Sequence, residues 1–268
     1  MPTTSSLLRS PVHFVMRTAL CCCLAAAPVA ADIPERLNAL LAGGRSAEAE
    51  RLLREAAESG ADAQPARYAL GVTQFIRAVE RLGQSLNRYG ARPPNAMRMI
   101  APVPRVPVPR AAEPEKIDYP TLRKIFERWV SDLREGERTL SRLTDEEGRL
   151  PLRRGRLRVD VDSDGKATDE EALGRIYLSL NPGAGITEEN AAEFVIGLDR
   201  ADAEWLRGYC HLLMALGEVM LAHDFEELLL RVGHVFFERV DSPYAFLQGS
   251  GVWDMGGDDV LDLIAMIH

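Results

Sequence analysis

Between residues 33 and 89, apolar side chains recur every three and four positions in three runs: IPERLNALLAGG, SAEAERLLREAAES and PARYALGVTQFIRAVERLGQSL. That spacing predicts amphipathic helices, separated by glycines and by Pro65. Ser46 stands as an N-cap before Ala47, Glu48 and Ala49, all strong helix formers. The same period returns in YPTLRKIFERWVSDLREGERTLSRL, with Pro120 in the first turn. Its apolar face is Leu122, Ile125, Phe126, Trp129, Leu133, Leu140 and Leu143. EALGRIYLSL continues it at Leu173, Ile176, Tyr177 and Leu180, and stops at Asn181-Pro182-Gly183. RADAEWLRGYCHLLMALGEVML predicts a helix with Trp205, Leu206, Tyr209, Leu213, Leu216 and Met220 on one stripe. DFEELLLRVGHVFFERV and DDVLDLIAMIH add two more. Only GRLPLRRGRLRV changes period, alternating Leu157, Val159 and Val161 with Arg156 and Arg158, which predicts a strand. EFVIGLD reads as a short strand or a buried turn. The expected class is mainly α, a helical bundle.

Two stretches interrupt this pattern. Residues 90–116 hold seven of the chain's 16 prolines, including PVPRVPVPR, a density that excludes helix and central strand. Polyproline II is expected there, as a semi-rigid spacer or as a strap along a folded surface. At the start, Arg9 and Arg17 precede the apolar run TALCCCLAAAPVA, which ends in small residues before Asp32. This predicts a signal peptide over 1–31, because the run is shorter than the roughly 20 residues a membrane span needs. The expected organisation is thus 1–31 signal peptide, 32–89 helical segment, 90–116 linker and 117–268 helical domain, with a periplasmic or secreted destination. Cys21, Cys22 and Cys23 leave with the signal, so Cys210 alone remains and no internal disulfide forms. The formal net charge is −8 and becomes more negative when Arg9 and Arg17 are removed. Such a chain is not expected to seek nucleic acid or anionic lipid, nor to span a membrane.

The stretch DVDSDGKATDEE, residues 160–171, carries the densest chemistry. Calcium takes six to eight oxygens at about 2.3–2.6 Å, and a twelve-residue loop supplies them from positions 1, 3, 5, 7, 9 and 12. Asp160, Asp162, Asp164, Lys166, Thr168 and Glu171 hold those positions, and Gly165 stands sixth, where the chain turns sharply. The stretch resembles the EF-hand calcium loop. The resemblance implies a Ca2+ ion held by the carboxylates of Asp160, Asp162 and Asp164 and by the backbone carbonyl of Lys166. It also implies a direct or water-mediated contact from Thr168 and a bidentate carboxylate from Glu171. Two features depart from the family: the predicted strand replaces the entering helix, giving a strand-loop-helix unit, and the eighth position is Ala167 with no second loop in the chain to pair with. Four arginines upstream also oppose a cation.

GRSAEAERLLREA followed by ARYALG is similar to the tetratricopeptide repeat, a helical hairpin, over about residues 33–83. Leu37 and Leu53 depart from its pattern, and an alanine-rich bundle remains the other reading. One repeat cannot cover its own apolar face, so this repeat-like hairpin is expected to pack on the rest of the protein. His223, Glu227 and His234 recur at helical spacing and would suit zinc, but the tighter His-Glu pattern of a metalloprotease is absent and surface or capping roles fit them better. Cys210 and His211 are neighbours on a helix and point apart. GSGVWDMGGDD lacks a phosphate-binding lysine and reads as a loop, with Asp258 as a cap. The expected function is that of an exported calcium-binding module, non-catalytic, with a structural calcium site. A repeat-like adaptor that binds another protein through the helical hairpin is the alternative, and a metal-dependent hydrolase a third.

Overall fold

The computed structural model describes residues 33–58, 63–91, 111–144, 148–165, 167–175, 190 and 193–244. It is mainly helical, with one two-stranded sheet among the described residues. Helix α1, Ile33–Ala42, buries Ile33, Leu37, Leu40 and Leu41, and helix α2, Ser46–Glu58, buries Ala49, Leu53 and Ala57. Between them Arg45 N donates to Leu40 O at 2.8 Å, and Gly44 takes φ +66°, the left-handed conformation that closes a helix most easily without a Cβ. Helix α3, Ala63–Arg88, runs unbroken, because Pro65 falls in its first turn, where no amide is needed.

Helix α4, Tyr119–Leu140, begins at Asp118, whose carboxylate accepts from Thr121 N at 2.8 Å. The Thr121 hydroxyl, and after it the Thr121 amide, hold the Asp118 carboxyl below the ordinary carboxylate range. Its expected apolar face is the observed one: Leu122, Trp129, Leu133, Leu140 and Leu143 are buried, with Ile125 and Phe126 partly so. α4 packs between α3 and helix α5, Arg200–Ala222. Of the expected stripe, Leu213 is buried and Leu206, Tyr209 and Leu216 are partly so, packed against the core. The buried residues of α5 are Ala203, Cys210, Leu213, Met214 and Gly217, whereas Trp205 is 66% exposed. Small residues decide the rotation: a Cβ on Gly217 would lie 2.4 Å from Val130 Cγ2, so the α5 backbone approaches α4 more closely than an indole would allow.

Strand β1, Leu150–Arg153, pairs antiparallel with β2, Val195–Leu198, placing Leu150 opposite Leu198 and Arg153 opposite Val195. The side chain of Asn38 on α1 covers the other edge of β1, donating to Pro151 O and accepting from Arg153 N. After β1, Arg154–Arg156 forms a single 3-10 turn. Helix α6, Glu226–Phe236, leads to two isolated bridges, Phe237 with Ala91 and Val240 with Ile117. Glu115 N also donates to Arg88 O, so the two ends of the proline-rich stretch lie side by side while α3 and α4 pack directly. The expected signal peptide, most of the proline-rich stretch, the glycine-rich loop with Asp258, and the helix DDVLDLIAMIH lie outside the described residues. So does the second half of EALGRIYLSL; in its first half Leu173, Gly174 and Arg175 are helical. Among the described residues no helix is long and apolar enough to cross a membrane.

Candidate metal centre

The chain enters the loop in extended form. Leu157, Val159 and Val161 are all buried, as the period of two requires. Leu173 N donates to Leu157 O at 2.8 Å and Val159 N to Glu171 O at 3.2 Å, around an antiparallel bridge between Arg158 and Ala172. The two ends of the loop are therefore tied. Arg158 faces away from the acidic cluster: its N–H donates to Leu41 O, and its guanidinium bonds both Ala42 O and the Asp169 carboxylate. It caps the orphan carbonyls of α1 instead of opposing a cation. Arg153, Arg154 and Arg156 project into solvent, where their charge is screened.

Asp160, Asp162 and Asp164 each offer one carboxylate oxygen, and these atoms all lie within 4.8 Å of one another. The turn that gathers them uses two left-handed residues, Ser163 at φ 63° and Gly165 at φ +76°. A Cβ on Gly165 would meet nothing within 4 Å, so it is the backbone angle and not space that calls for glycine. Asp164 N donates to Asp162 Oδ1 at 3.0 Å, and Gly165 N to Asp160 Oδ2 at 3.3 Å. Asp160 Oδ1, by contrast, is buried and accepts no hydrogen. Burial pushes the Asp160 carboxyl above its ordinary range, helped by the charges of Glu171 and Glu80 and opposed by the amides of Ser163 and Gly165.

Glu171 is buried, 5% exposed, near enough for its charge to act on Asp160. Its Oε1 accepts from Val161 N, and its Oε2 from Thr168 N and Thr168 Oγ1, at 2.8, 2.8 and 3.1 Å. A carboxylate has about four lone-pair sites, so one remains free, on Oε1. To embrace an ion with both oxygens Glu171 must release a bond to Thr168. Among the expected ligands, the structure thus gathers the three aspartates and keeps Thr168 and Glu171 adjacent to them in the loop; Lys166 lies outside the described residues.

Three further residues position the loop, and sequence reasoning missed them. Glu80 on α3 is 1% exposed and accepts from Asp160 N at 3.1 Å, from Ser46 Oγ at 2.5 Å and from Arg77 Nη1 at 2.7 Å. Gln84 Nε2, one turn on, donates to Asp160 O at 2.7 Å. Asp160 is therefore fixed at both its amide and its carbonyl by the N-terminal helices. Gly44 is the third: a Cβ there would lie 2.0 Å from the Cβ of Ala167. The α1–α2 turn covers the eighth loop position, where a paired hand would place its partner loop. A charged glutamate in a helix reads as solvent-facing, and nothing local in the sequence shows that α3 passes behind the loop.

No protein-family model, curated protein or solved structure matches this chain. The site is read from its own geometry. Converging carboxylates, a buried carboxylate oxygen with no hydrogen to accept, and an all-oxygen donor set fit a hard divalent cation and suit thiolate- or imidazole-seeking metals poorly. The His223, Glu227 and His234 trio does not converge among the described residues. His223 follows α5 and its Nδ1–H donates to Val219 O, Glu227 pairs with Arg231 on the surface, and His234 is buried. Cys210 is buried, its thiol pushed up to about 12 by that burial, while His211 is exposed beside Glu137.

Proposed function

We propose that residues 160–171 bind calcium and that the protein is an exported, non-catalytic binding module whose fold the ion reinforces. The observation that supports this most is the convergence of Asp160, Asp162 and Asp164 around a buried, unpartnered Asp160 oxygen, on a backbone anchored by Glu80 and Gln84. Three carboxylates this close repel one another, and a divalent cation converts the repulsion into attraction. Asp160, Asp162, Asp164 and Glu171 would hold the ion, with the Lys166 carbonyl and Thr168 completing the shell. Export is supported by the basic and then apolar residues 1–31.

An extracellular module of this loop type binds at about 10⁻⁴ to 10⁻³ M, and a hundredfold excess of ligand over Kd stabilises the folded state by about 2.7 kcal/mol. The test is calcium titration of residues 32–268 by calorimetry, with thermal melting in parallel. Calcium should raise Tm, Glu171→Gln should remove most of that rise, and magnesium, which requires a tighter octahedral shell, should substitute poorly. A Tm that does not move with calcium, or that moves equally in Glu171→Gln, would reduce the loop to an acidic turn.

A further inference from the structure

Four arginines gather on the outer side of the small sheet. The period of two puts Arg149, Pro151 and Arg153 on the face of β1 opposite the buried Leu150 and Leu152, and Arg154 and Arg156 follow on the 3-10 turn, all five exposed. In an antiparallel pair, directly opposed residues share a face, so Val195 lies beside Arg153 and Gly197 beside Pro151. β2 also packs against the 3-10 turn, which brings Val195 and its neighbour Phe194, 52% and 56% exposed, close to the arginines. A Cβ on Gly197 would meet nothing within 4 Å, so the face is open there. Elsewhere on the chain arginines sit against carboxylates: Arg54 against Glu135, Arg81 against Asp132 and Arg207 against Glu137, at 2.8, 3.0 and 2.9 Å. Arg158, engaged by Ala42 O and Asp169, is of this paired kind. Among the described residues no side-chain hydrogen bond or ion pair engages Arg149, Arg153, Arg154 or Arg156.

We infer that this face docks on an anionic phospholipid membrane, with Arg149, Arg153, Arg154 and Arg156 at the lipid phosphates and Phe194 and Val195 dipping below them. A guanidinium presents a planar fork of N–H donors that matches phosphate oxygens two at a time, and all four cations here are arginines. The two apolar side chains select among anions. A soluble polyanion offers nothing to Phe194 or Val195, whereas the boundary between headgroups and acyl chains takes up both while the arginines stay at the phosphates. The negative net charge, which predicts no affinity for anionic lipid, counts the whole chain. At physiological ionic strength charges farther away than about 8 Å are screened, so a headgroup touching the sheet meets the four unpaired arginines and little else. The protein then lies on the bilayer without spanning it.

Cosedimentation of residues 32–268 with vesicles tests this, in the presence of a chelator so that no calcium bridges protein and lipid. Vesicles of mixed phosphatidylglycerol and phosphatidylcholine should bind the chain, pure phosphatidylcholine should not, and added salt should release it. Each arginine at an anionic surface contributes about a factor of five in partitioning, so Arg153→Gln with Arg154→Gln should weaken binding roughly thirty-fold. Both side chains are exposed, so Tm should stay where it is. Arg51→Gln with Arg134→Gln removes the same charge from exposed arginines that already have carboxylate partners, and should change binding little. Brominated acyl chains should quench Phe194→Trp beyond the parent chain. The proposal is overturned if phosphatidylglycerol adds no binding, if the control pair weakens it as much as the Arg153 and Arg154 pair, or if Phe194→Trp gains no quenching. It is equally overturned if heparin binds through the same arginines while the vesicles do not, which would assign the face to a soluble polyanion.

Discussion

Glu80→Gln separates what holds the loop from what the loop binds. The glutamate is buried and accepts three hydrogen bonds, from Asp160 N, Ser46 Oγ and Arg77 Nη1. Glutamine has the same shape but one acceptor and one NH2 group. With the NH2 toward Asp160, two buried donors face each other. With it toward Ser46 and Arg77, the hydroxyl can turn to accept but the guanidinium cannot, and Arg77 keeps only the longer contacts to Ser46 Oγ at 3.3 Å and Glu50 Oε2 at 3.4 Å. The second arrangement is the better one, and it forfeits a bond to a charged group, about 1.5–3 kcal/mol, with an added penalty for a buried cation short of a partner. The expected loss is about 2–4 kcal/mol, which for a chain of this size lowers Tm on the order of 10 °C. Glu55→Gln is the control: its i,i+4 pair with Arg51 is exposed on both sides and is worth about 0.3–0.5 kcal/mol. Both proteins are melted without calcium. Should the Glu80→Gln shift match that of Glu55→Gln, the buried carboxylate is not what anchors the loop, and the reasoning fails.

Gly44→Ala should cost about 2 kcal/mol or more, since it strains a residue at φ +66° and drives a methyl into Ala167, whereas Gly43→Ala, whose Cβ would find ordinary 3.5 Å contacts, should change little; equal urea midpoints for the two variants would refute the contact. Burial holds His234 below its ordinary pKa of 6.5, its bond to the Arg231 backbone acting in the opposite sense. The unfolded chain therefore takes up the proton first, so stability should be level above about pH 6.5 and fall as pH drops from there through the lower folded value. His234→Leu should flatten that slope in urea unfolding between pH 7 and 5, and an unchanged slope would assign it to other groups. Cys210, with its thiol raised to about 12, should react with a disulfide reagent at pH 8 no faster than the protein opens globally, and a rapid reaction would place it in a locally mobile helix.

The face of α4 was legible because its large apolar residues lie on one side only. α5 carries apolar residues on two sides, and a period alone cannot choose between them; the choice fell to Ala203, Cys210 and Gly217, whose smallness permits close approach but gives little hydrophobic signal. The three aspartates were legible because a turn with carboxylates at alternate positions and a glycine in sixth place has few other uses. The cover over Ala167 was not, because the turn at Gly44 reaches it only through the packing of α1 and α2 on α3. The pairing of β1 with β2 was equally hidden, since each strand is four residues long and far from the other in sequence.

Glu80 and Asp160 are 80 residues apart in sequence, and Arg158 and Ala42 116 apart. These bonds can form only after long segments of chain have closed on themselves, whereas the helix pairs α1–α2 and α2–α3 join near neighbours. The loop is therefore expected to form in the late steps of folding, after the barrier has been crossed. Substitutions at Gly44, Glu80 or Asp160 should then leave the refolding rate nearly unchanged and appear almost wholly as faster unfolding. The turn of twelve residues acts as a latch on the finished molecule, governing how long the native state lasts once formed.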